Sequence, residues 1–505
     1  MSTRQQITSG FSWNTLTVVL QVVIQLIYTG ILARLLIPGD FALMGIVLGI
    51  MGFAEIFSQV GIGPALIQRK EIHPQHLSGA FYTAVLLGTG FTALFFFLAP
   101  WLGKVYGMPD LVPIMRVVSI SFIISALGVV PRSLMIKDLA FKRFFVAGMV
   151  SIIGGNLVIG LALAWSGYGV WAYVWALFAQ NALMTVMYWI LNPVKLSPKW
   201  QWRYTRDLLR YGSGSTLFNA LNYAATKADV TLVPIFATRT PGTEVGEQLR
   251  KSGIYERSAY VVSLPITIMG KLSDNVMFSG MASMQDEQVR LRKAVLLAYH
   301  FLALIIAPSV VVAVCLAPEI VHFYLGDQYA DAIPVLQVLL GAVIFRTLSR
   351  ISDSLLRARD ATFSGSAIKS VYLVLMIAGI VLTVPYGMVW VATAITLTTA
   401  LHLMMSLWLC ARLVETTLRN QIRAILPGML VGFVLFVALL PVTWVLRWLE
   451  VYPAITLLAG LLTALLLVAG MLYKAPFLLG KGESSLVRFL PSRIRKMPFF
   501  SRLDP

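Results

Sequence analysis

The sequence predicts an all-α integral membrane protein with about fourteen transmembrane helices, arranged as two parallel six-helix lobes plus two C-terminal helices. Three observations predict it. Of the 505 residues, 58% are hydrophobic and only 12% charged, about half the charge of a soluble globular chain. The apolar residues come in runs: residues 294–317 hold no Asp, Glu, Lys or Arg, and about 20 apolar residues match the hydrocarbon thickness of a bilayer. Finally, successive loops alternate between rich and poor in Lys and Arg, as they do when a chain crosses a membrane repeatedly.

The predicted spans fall at 10–36, 40–67, 77–103, 111–135, 144–166, 168–191, 211–237, 252–284, 294–317, 332–357, 366–384, 387–411, 425–446 and 452–473. Irregular backbone cannot face lipid, so each should be helical. Residues 1–6 are polar with one Arg, and no small-residue cleavage site follows a short apolar core. The first apolar segment is therefore expected to remain as a span. Cys315 and Cys410 both sit in apolar runs and read as core thiols.

With the N-terminus inside, most of the 40 Lys and Arg fall in cytoplasmic segments, for example Arg132, Lys137, Lys142, Arg143, Lys195, Lys199, Arg203, Arg206 and Arg210. The loop 318–331 has no Lys or Arg but carries Glu319, Asp327 and Asp331, as an outer loop should. Both termini are thus expected in the cytoplasm. The net charge of +18 needs no nucleic acid, because cytoplasmic loops lie beside anionic headgroups. The segment 484–503 mixes Arg and Lys with Phe and Leu, and Trp200, Trp202 and Tyr204 cluster nearby in sequence to Lys199. Both read as interfacial segments.

A weak internal repeat sets the domain organisation. Gly39-Asp40-Phe41 opens the second span and Gly253-Ile254-Tyr255 the eighth. Ser133-Leu134-Met135 and Ser354-Leu355-Leu356 end the fourth and tenth. Tyr168-Gly169 and Tyr386-Gly387 open the sixth and twelfth. The offsets are 214, 221 and 218 residues. The expected parts are a lobe at 1–191, a cytoplasmic linker at 192–210, a second lobe at 211–411, two further spans at 412–473 and a basic tail at 474–505. Six spans per repeat make the lobes parallel, and a substrate site is then expected between them.

Charges inside spans are costly unless they meet a partner or a wet cavity. The basic residues singled out there are Arg34, Arg116, Lys227, Arg257, Lys271, Arg346 and Arg350, with the acids Glu55, Asp229, Glu256, Asp274 and Asp353. In the eighth span Arg257, Tyr260, Thr267, Lys271 and Asp274 share one helical face. In the first span Asn14, Gln21, Gln25 and Tyr28 do so. In the seventh Asn219, Asn222 and Thr226 form a stripe with Lys227 and Asp229 beside it. Glu55 and Gln59 are one turn apart in the second. Spans 1, 2, 7 and 8 are equivalent pairs of the repeat, expected to line one polar, cationic cavity. A cation in a low-dielectric cavity attracts phosphate strongly, while Asn, Gln and Tyr can hydrogen-bond a sugar. Substrate binding is therefore assigned to Gln21, Gln25, Asn219, Asn222, Lys227, Arg257, Tyr260 and Lys271, and ion coupling, to a proton or Na⁺, to Glu55, Asp229 and Asp274. Other readings stand beside these: an intrahelical pair for Lys271 and Asp274, snorkelling for Arg34 and Arg116, headgroup anchoring for Arg346, Arg350 and Asp353. Glu256 falls elsewhere on the helix from Arg257 and is left unassigned. His73 and His76 read as a solvated loop, and the five histidines as scattered. No phosphate-binding GxxxxGK[ST] loop and no catalytic constellation is found, so neither an enzyme nor a cofactor is expected.

The run 32–41, LARLLIPGDF, resembles the R-x-L-x-P-x-D-[FY]-G junction of Wzx-type polysaccharide flippases, and 61–69, GIGPALIQR, resembles their G-[LI]-G-x-A-L-I-Q-[RK] segment. Gly10-Phe11-Ser12-Trp13 and Tyr168-Gly169-Val170-Trp171-Ala172 also fit. Ala42 and Pro64 depart from the pattern. The likeness is strongest over 1–200 and closest to the colanic-acid and succinoglycan-type branch. It implies the multidrug/oligosaccharidyl-lipid/polysaccharide exporter fold in a bacterial inner membrane. It implies cation-coupled flipping of undecaprenyl-pyrophosphate-linked glycan among membrane lipids, with a polymerase and a chain-length regulator as partners, and it adds Arg34 to the substrate-binding set. Competing readings are a multidrug cation antiporter, which would want an acidic cavity, a lipid II flippase, and a membrane polymerase or ligase, which would want a large outer loop.

Overall fold

The computed structural model describes residues 3–59, 61–68, 72–138, 140–197, 202–237, 244–282, 284, 287–359 and 361–474; the side chains of 3–15, 18, 59, 64, 68, 202–219, 268–280, 282, 362, 472 and 474 lie outside the description. The regular structure among the described residues is all helical, without a strand. In chain order the helices are α1 (Thr3–Leu35), α2 (Pro38–Gln59), α3 (Ile62–Gln68), α4 (Pro74–Tyr106), α5 (Leu111–Ser119), α6 (Ser121–Lys137), α7 (Phe141–Ile152), α8 (Leu161–Trp165), α9 (Val170–Leu191), α10 (Trp202–Ala237), α11 (Val245–Ala282), α12 (Gln288–Cys315), α13 (Ala317–Ile320), α14 (Ala332–Ala358), α15 (Thr362–Thr383), α16 (Met388–Leu413), α17 (Leu418–Trp448) and α18 (Pro453–Lys474). Among the described residues eleven stretches are long and apolar enough to cross a membrane, and they coincide with the second to sixth and ninth to fourteenth predicted spans. The first predicted span is α1, apolar over Val19–Leu35. The seventh and eighth are α10 and α11, whose described parts carry Asn222, Lys227, Asp229, Glu256 and Arg257.

Local chemistry explains the breaks. Arg34 lies in the last turn of α1 and Asp40 in the first turn of α2, each on the side the helix dipole favours. Pro38 occupies the first position of α2, where its missing N–H costs nothing. The second predicted span, continuous over 40–67, is in fact two helices. Gly61 adopts φ +64, a left-handed conformation open to glycine, and α3 turns away there. The eighth begins at Val245 rather than 252, because a Glu247–Lys251 ion pair of 2.7 Å supports an exposed extra turn. The fifth span carries a π-helical segment, Ile153–Gly160. Gly155 there leaves room for the Gln180 backbone of α9, and π-turns of this kind are common at functional positions.

The histidine reading needs correction. His76 is 1% exposed, and its Nδ1 accepts from the His73 N–H at 3.1 Å, capping the start of α4 while the two rings stack at 5.4 Å. His76 closes a helix end, while His73 is exposed, so the solvated reading fails for His76 alone. Cys315 and Cys410 are both free and buried.

By packing, the chain divides into two compact units: Met1–Arg257 with Leu373–Val391, and Ser258–Tyr372 with Ala392–Pro505. The boundaries fall inside α11, α15 and α16, whereas the sequence repeat divides the chain at 192–210. In the first unit α3 packs on α4 and α6 through Ile62, Leu66, Ala80, Ala84, Ala126 and Val130. Met135, Ala147 and Tyr188 join α6, α7 and α9. In the second unit Cys315, Leu439 and Ala464 join α12, α17 and α18. The tail 475–505 and Trp200 lie outside the described residues, as do the side chains of Trp202 and Tyr204.

Candidate functional site

The first unit holds the polar helices α1, α2, α10 and the start of α11. Gly45, Gly49 and Gly52 recur on one face of α2 at steps of four and three. Opposite them stand Glu256 and Val230, then Thr231, then Tyr223. From Gly45 and Gly49 to Gly52 the partners on α10 step back from Val230 and Thr231 to Tyr223, as in an antiparallel pair. Small residues let membrane helices approach closely. Here the approach is made by side-chain tips. The Tyr223 hydroxyl donates to the Leu48 carbonyl at 3.1 Å, and that of Tyr106 to the Thr231 carbonyl at 3.2 Å. At the end of the ladder Gly253 of α11 lies directly on the Pro38 carbonyl.

Arg257 sits beside this contact. It is 1% exposed, the bulkiest fully buried side chain described. Its Nε donates to Glu256 Oε2 at 2.5 Å and a terminal nitrogen to Oε1 at 2.8 Å. Its guanidinium carbon lies 3.9 Å from the centre of the Phe41 ring, within cation–π range. Phe41 and Tyr28 both meet the edge of Tyr173, at 6.1 and 6.4 Å between ring centres. A charge this deep needs both a counter-ion and a polarisable wall, and Glu256 and Phe41 supply them. Glu256 therefore does not point away from Arg257. Adjacent helical positions diverge at Cβ, but two long side chains can curl back to meet.

The other predicted residues divide by surroundings. Asp229 is 2% exposed. Its Oδ2 accepts from the Tyr255 hydroxyl at 3.2 Å and its Oδ1 from the Val230 N–H at 2.9 Å, tying α10 to α11. Gln25 accepts from Asn156 of the π-helical segment at 3.2 Å, and Gln21 lies against Gly148 of α7. That glutamine pair thus faces α7 and the π-segment. Asn222, Glu55 and Arg34 are exposed; Ser58 donates to the Glu55 carbonyl at 3.0 Å. Tyr260 is half-buried, three residues past Arg257 and in the second unit. The side chains of Asn14, Asn219, Lys271 and Asp274 lie outside the described residues.

Lys227 stands apart. It is half-buried near the middle of the described part of α10, its carbonyl accepts from Thr231 at 3.0 Å, and no described acid reaches its ammonium. Among the described residues the site therefore offers Lys227, a cation with no described acid beside it, and Arg257, held by Glu256. Among the described residues no group of His, Cys, Asp and Glu could hold a metal ion. Arg116 lies over the Phe96 ring at 4.8 Å and donates to the Phe96 carbonyl, a local contact with α4.

Such an arrangement of polar helices inside an apolar bundle is that of a membrane transporter. The chain belongs to the polysaccharide biosynthesis protein family, whose model it matches over residues 31–334. It is 24% identical over 375 residues to the lipopolysaccharide biosynthesis protein WzxC of Escherichia coli (strain K12), covering 73% of this chain and 74% of that one. It is 24% identical over 479 residues to the teichuronic acid biosynthesis protein TuaB of Bacillus subtilis (strain 168), covering 92% and 96%. Among solved structures it has the fold of the lipid II flippase MurJ in an inward closed conformation, with a TM-score of 0.69, 13% identity, and coverage of 92% and 99%.

The sequence missed one residue of chemical interest. Lys369 lies inside the span predicted at 366–384, is 4% exposed, and pairs with Asp353 at 3.0 Å. It is a basic residue inside a span that the sequence pattern did not single out.

Proposed function

We propose that this protein moves a lipid-linked polysaccharide repeat unit across the plasma membrane, head first through the protein and tail in lipid. The observation that carries the reading is Lys227. An ammonium half-buried at membrane depth with no described counter-ion is costly, and the cost is offset when an anionic ligand supplies the missing charge. A pyrophosphate is such a ligand, and the neighbouring Asn222 can hydrogen-bond its sugar. The same cation disfavours a cationic drug as cargo.

Arg257 supports the same reading. Glu256 holds it while α2, α10 and α11 are packed together. Parting of the glycine ladder gives Arg257 a second partner to choose, and a diphosphate carries more charge than one carboxylate. Alternating access between the six-helix halves 1–191 and 211–411, driven by a coupling cation, would then exchange Glu256 for substrate and back. The N-terminus lies in the cytoplasm in this scheme, and the end of α2 at Pro38 faces out.

Replacing Lys227 by Ala tests it. Polymer export in cells relying on this protein should be lost, with lipid-linked units building up on the cytoplasmic side, while the protein inserts at its normal level. Normal export by the variant would remove Lys227 from the site and with it the main support for the reading.

A further inference from the structure

Pro131 lies inside α6 and has no N–H to give the carbonyl one turn back, that of Leu127. Trp189 of α9 supplies a donor instead: its indole N–H bonds the Leu127 carbonyl at 2.9 Å. One turn earlier the Thr185 hydroxyl donates to the Ile124 carbonyl at 3.0 Å. Gly128 lets α9 come this near, with Thr185 Oγ1 3.0 Å from where a Cβ would stand. Phe81 of α4 holds the Trp189 ring from the other side, edge to face at 5.9 Å. Together with Leu127, Val186 and Ile190 these residues wall a notch of about 440 Å³ between α4 and α9, the size of a small-molecule site. Both polar groups of the wall are turned onto α6 carbonyls, so hydrocarbon faces the notch. Val186 and Ile190, 51% and 63% exposed, form its rim.

One end of the notch is basic. Thr185 to Ile190 fall in the last two turns of α9, and Phe81 lies seven residues from the start of α4, about 10 Å along it. Beyond Leu191 the chain crosses from α9 to α4 as a strap. Asn192 donates to the Pro131 carbonyl at 3.1 Å, Val194 packs on the core of α3, α4 and α6, and the Ser197 N–H bonds Ser78 Oγ at 2.6 Å, three residues before Phe81. Lys195 stands exposed on this strap, five residues past Ile190 and so within about 18 Å of it. Arg143 donates to the Leu191 carbonyl at 3.3 Å, and Arg132 hydrogen-bonds Tyr188. Lys137 and Lys142 lie at the same ends of α6 and α7. The described charges there are thus five cations and one acid, Asp138.

We propose that the notch binds one acyl chain of an anionic phospholipid, with the lipid phosphate at Lys195. Depth fits, because a chain begins just below its headgroup and the notch begins just below the strap. Charge selects the headgroup: the cations attract a net negative lipid and repel the choline of a zwitterionic one. The walls select a chain because their rings are fixed by a hydrogen bond and an edge contact, with no occupant needed to shape them. The bound lipid ties α4 to α9 over α6, all within the first unit. The site does not depend on what the protein transports.

The test is lipid binding to the purified whole chain in detergent, read by native mass spectrometry and by melting temperature. The probes are phosphatidylglycerol and phosphatidylcholine with identical chains. Phosphatidylglycerol should bind about tenfold more tightly, the effect of one or two cations near a charged headgroup. Lys195→Gln should lose most of that preference and still bind phosphatidylcholine. Val186→Phe fills the notch from its rim and should weaken both lipids together, and Ile190→Phe repeats that arm at a second exposed position. All three should melt like the wild type without added lipid. Equal binding of both lipids by the wild type would overturn the proposal, leaving the notch wetted by bulk lipid only. So would an undiminished preference in Lys195→Gln, or wild-type binding by both notch-filling variants. Displacement of phosphatidylglycerol by an equal amount of a polyprenyl phosphate, lost in Val186→Phe, would overturn it in favour of a prenyl tail.

Discussion

Each unit contains a helix contact built on glycine, and the two are made differently. In the second unit α17 lies on α12 with Gly428 against the Ala303 backbone and Gly432 against that of Ala307. Backbone meets backbone, and the far end is clamped by Arg447, which donates to Glu319 at 2.7 and 2.8 Å and to the Cys315 carbonyl at 2.6 Å. In the first unit Gly45, Gly49 and Gly52 of α2 meet the tips of Glu256, Thr231 and Tyr223. Tips can rotate away and find water or a ligand, but a backbone contact can only be lost. The first arrangement suits helices that stay together, the second a contact that parts and re-forms. Both kinds carry an ion pair, Arg447 with Glu319 at the first and Arg257 with Glu256 beside the second.

The comparison breaks first at Gly428. A Cβ there would land on the Ala303 carbonyl group, so Gly428→Val should force α17 off α12 and cost about 3 kcal/mol. Membrane levels and melting temperature should both fall sharply, and unchanged levels would show that α17 is not permanently seated. Next comes Arg447→Met, which strands a carboxylate whose side chain is 5% exposed. Breaking a buried pair costs about 3–5 kcal/mol, but Arg447 is 39% exposed, so solvent screens part and about 2 kcal/mol is expected. Adding Glu319→Gln should recover most of the loss in melting temperature. Without recovery, the clamp holds by packing and not by charge.

The order of the helices was legible because a membrane span is a local signal: twenty apolar residues need no partner to announce themselves. The family motifs were legible for the same reason, since Arg34, Pro38, Asp40 and Gly61 each act on the backbone beside them. What escaped depends on distant residues. Lys369 looks like a lone cation, and its acid lies sixteen positions earlier on another helix. The π-segment follows from Gly155 meeting α9, a contact no local pattern encodes. Glu256 was set aside by a spacing rule that holds at Cβ and fails at the tips of long side chains. In the candidate site, spacing picked out residues but could not show what each would bond. Asp229 turns out to be bonded by Tyr255 and its own backbone, and Gln25 by Asn156.

The smallest effect gives the sharpest view of the α2 contact. A methyl added at Gly49 would collide with the Thr231 hydroxyl, while the Thr231 Cβ would lie 3.4 Å away, an ordinary contact. Gly49→Ala alone should therefore cost about 1–2 kcal/mol, as overpacking does. Thr231→Ala alone should cost little, because its hydroxyl only bonds back to the Lys227 carbonyl one turn earlier. Combined, the methyl fills the space the hydroxyl leaves, and melting temperature should return close to that of the wild type. The cycle measures contact between α2 and α10 directly, because residues that touch fail to add while separated ones do not. Additive losses would mean that α2 and α10 are apart in the state that is melted, and the ladder would then belong to some other step of the transport cycle.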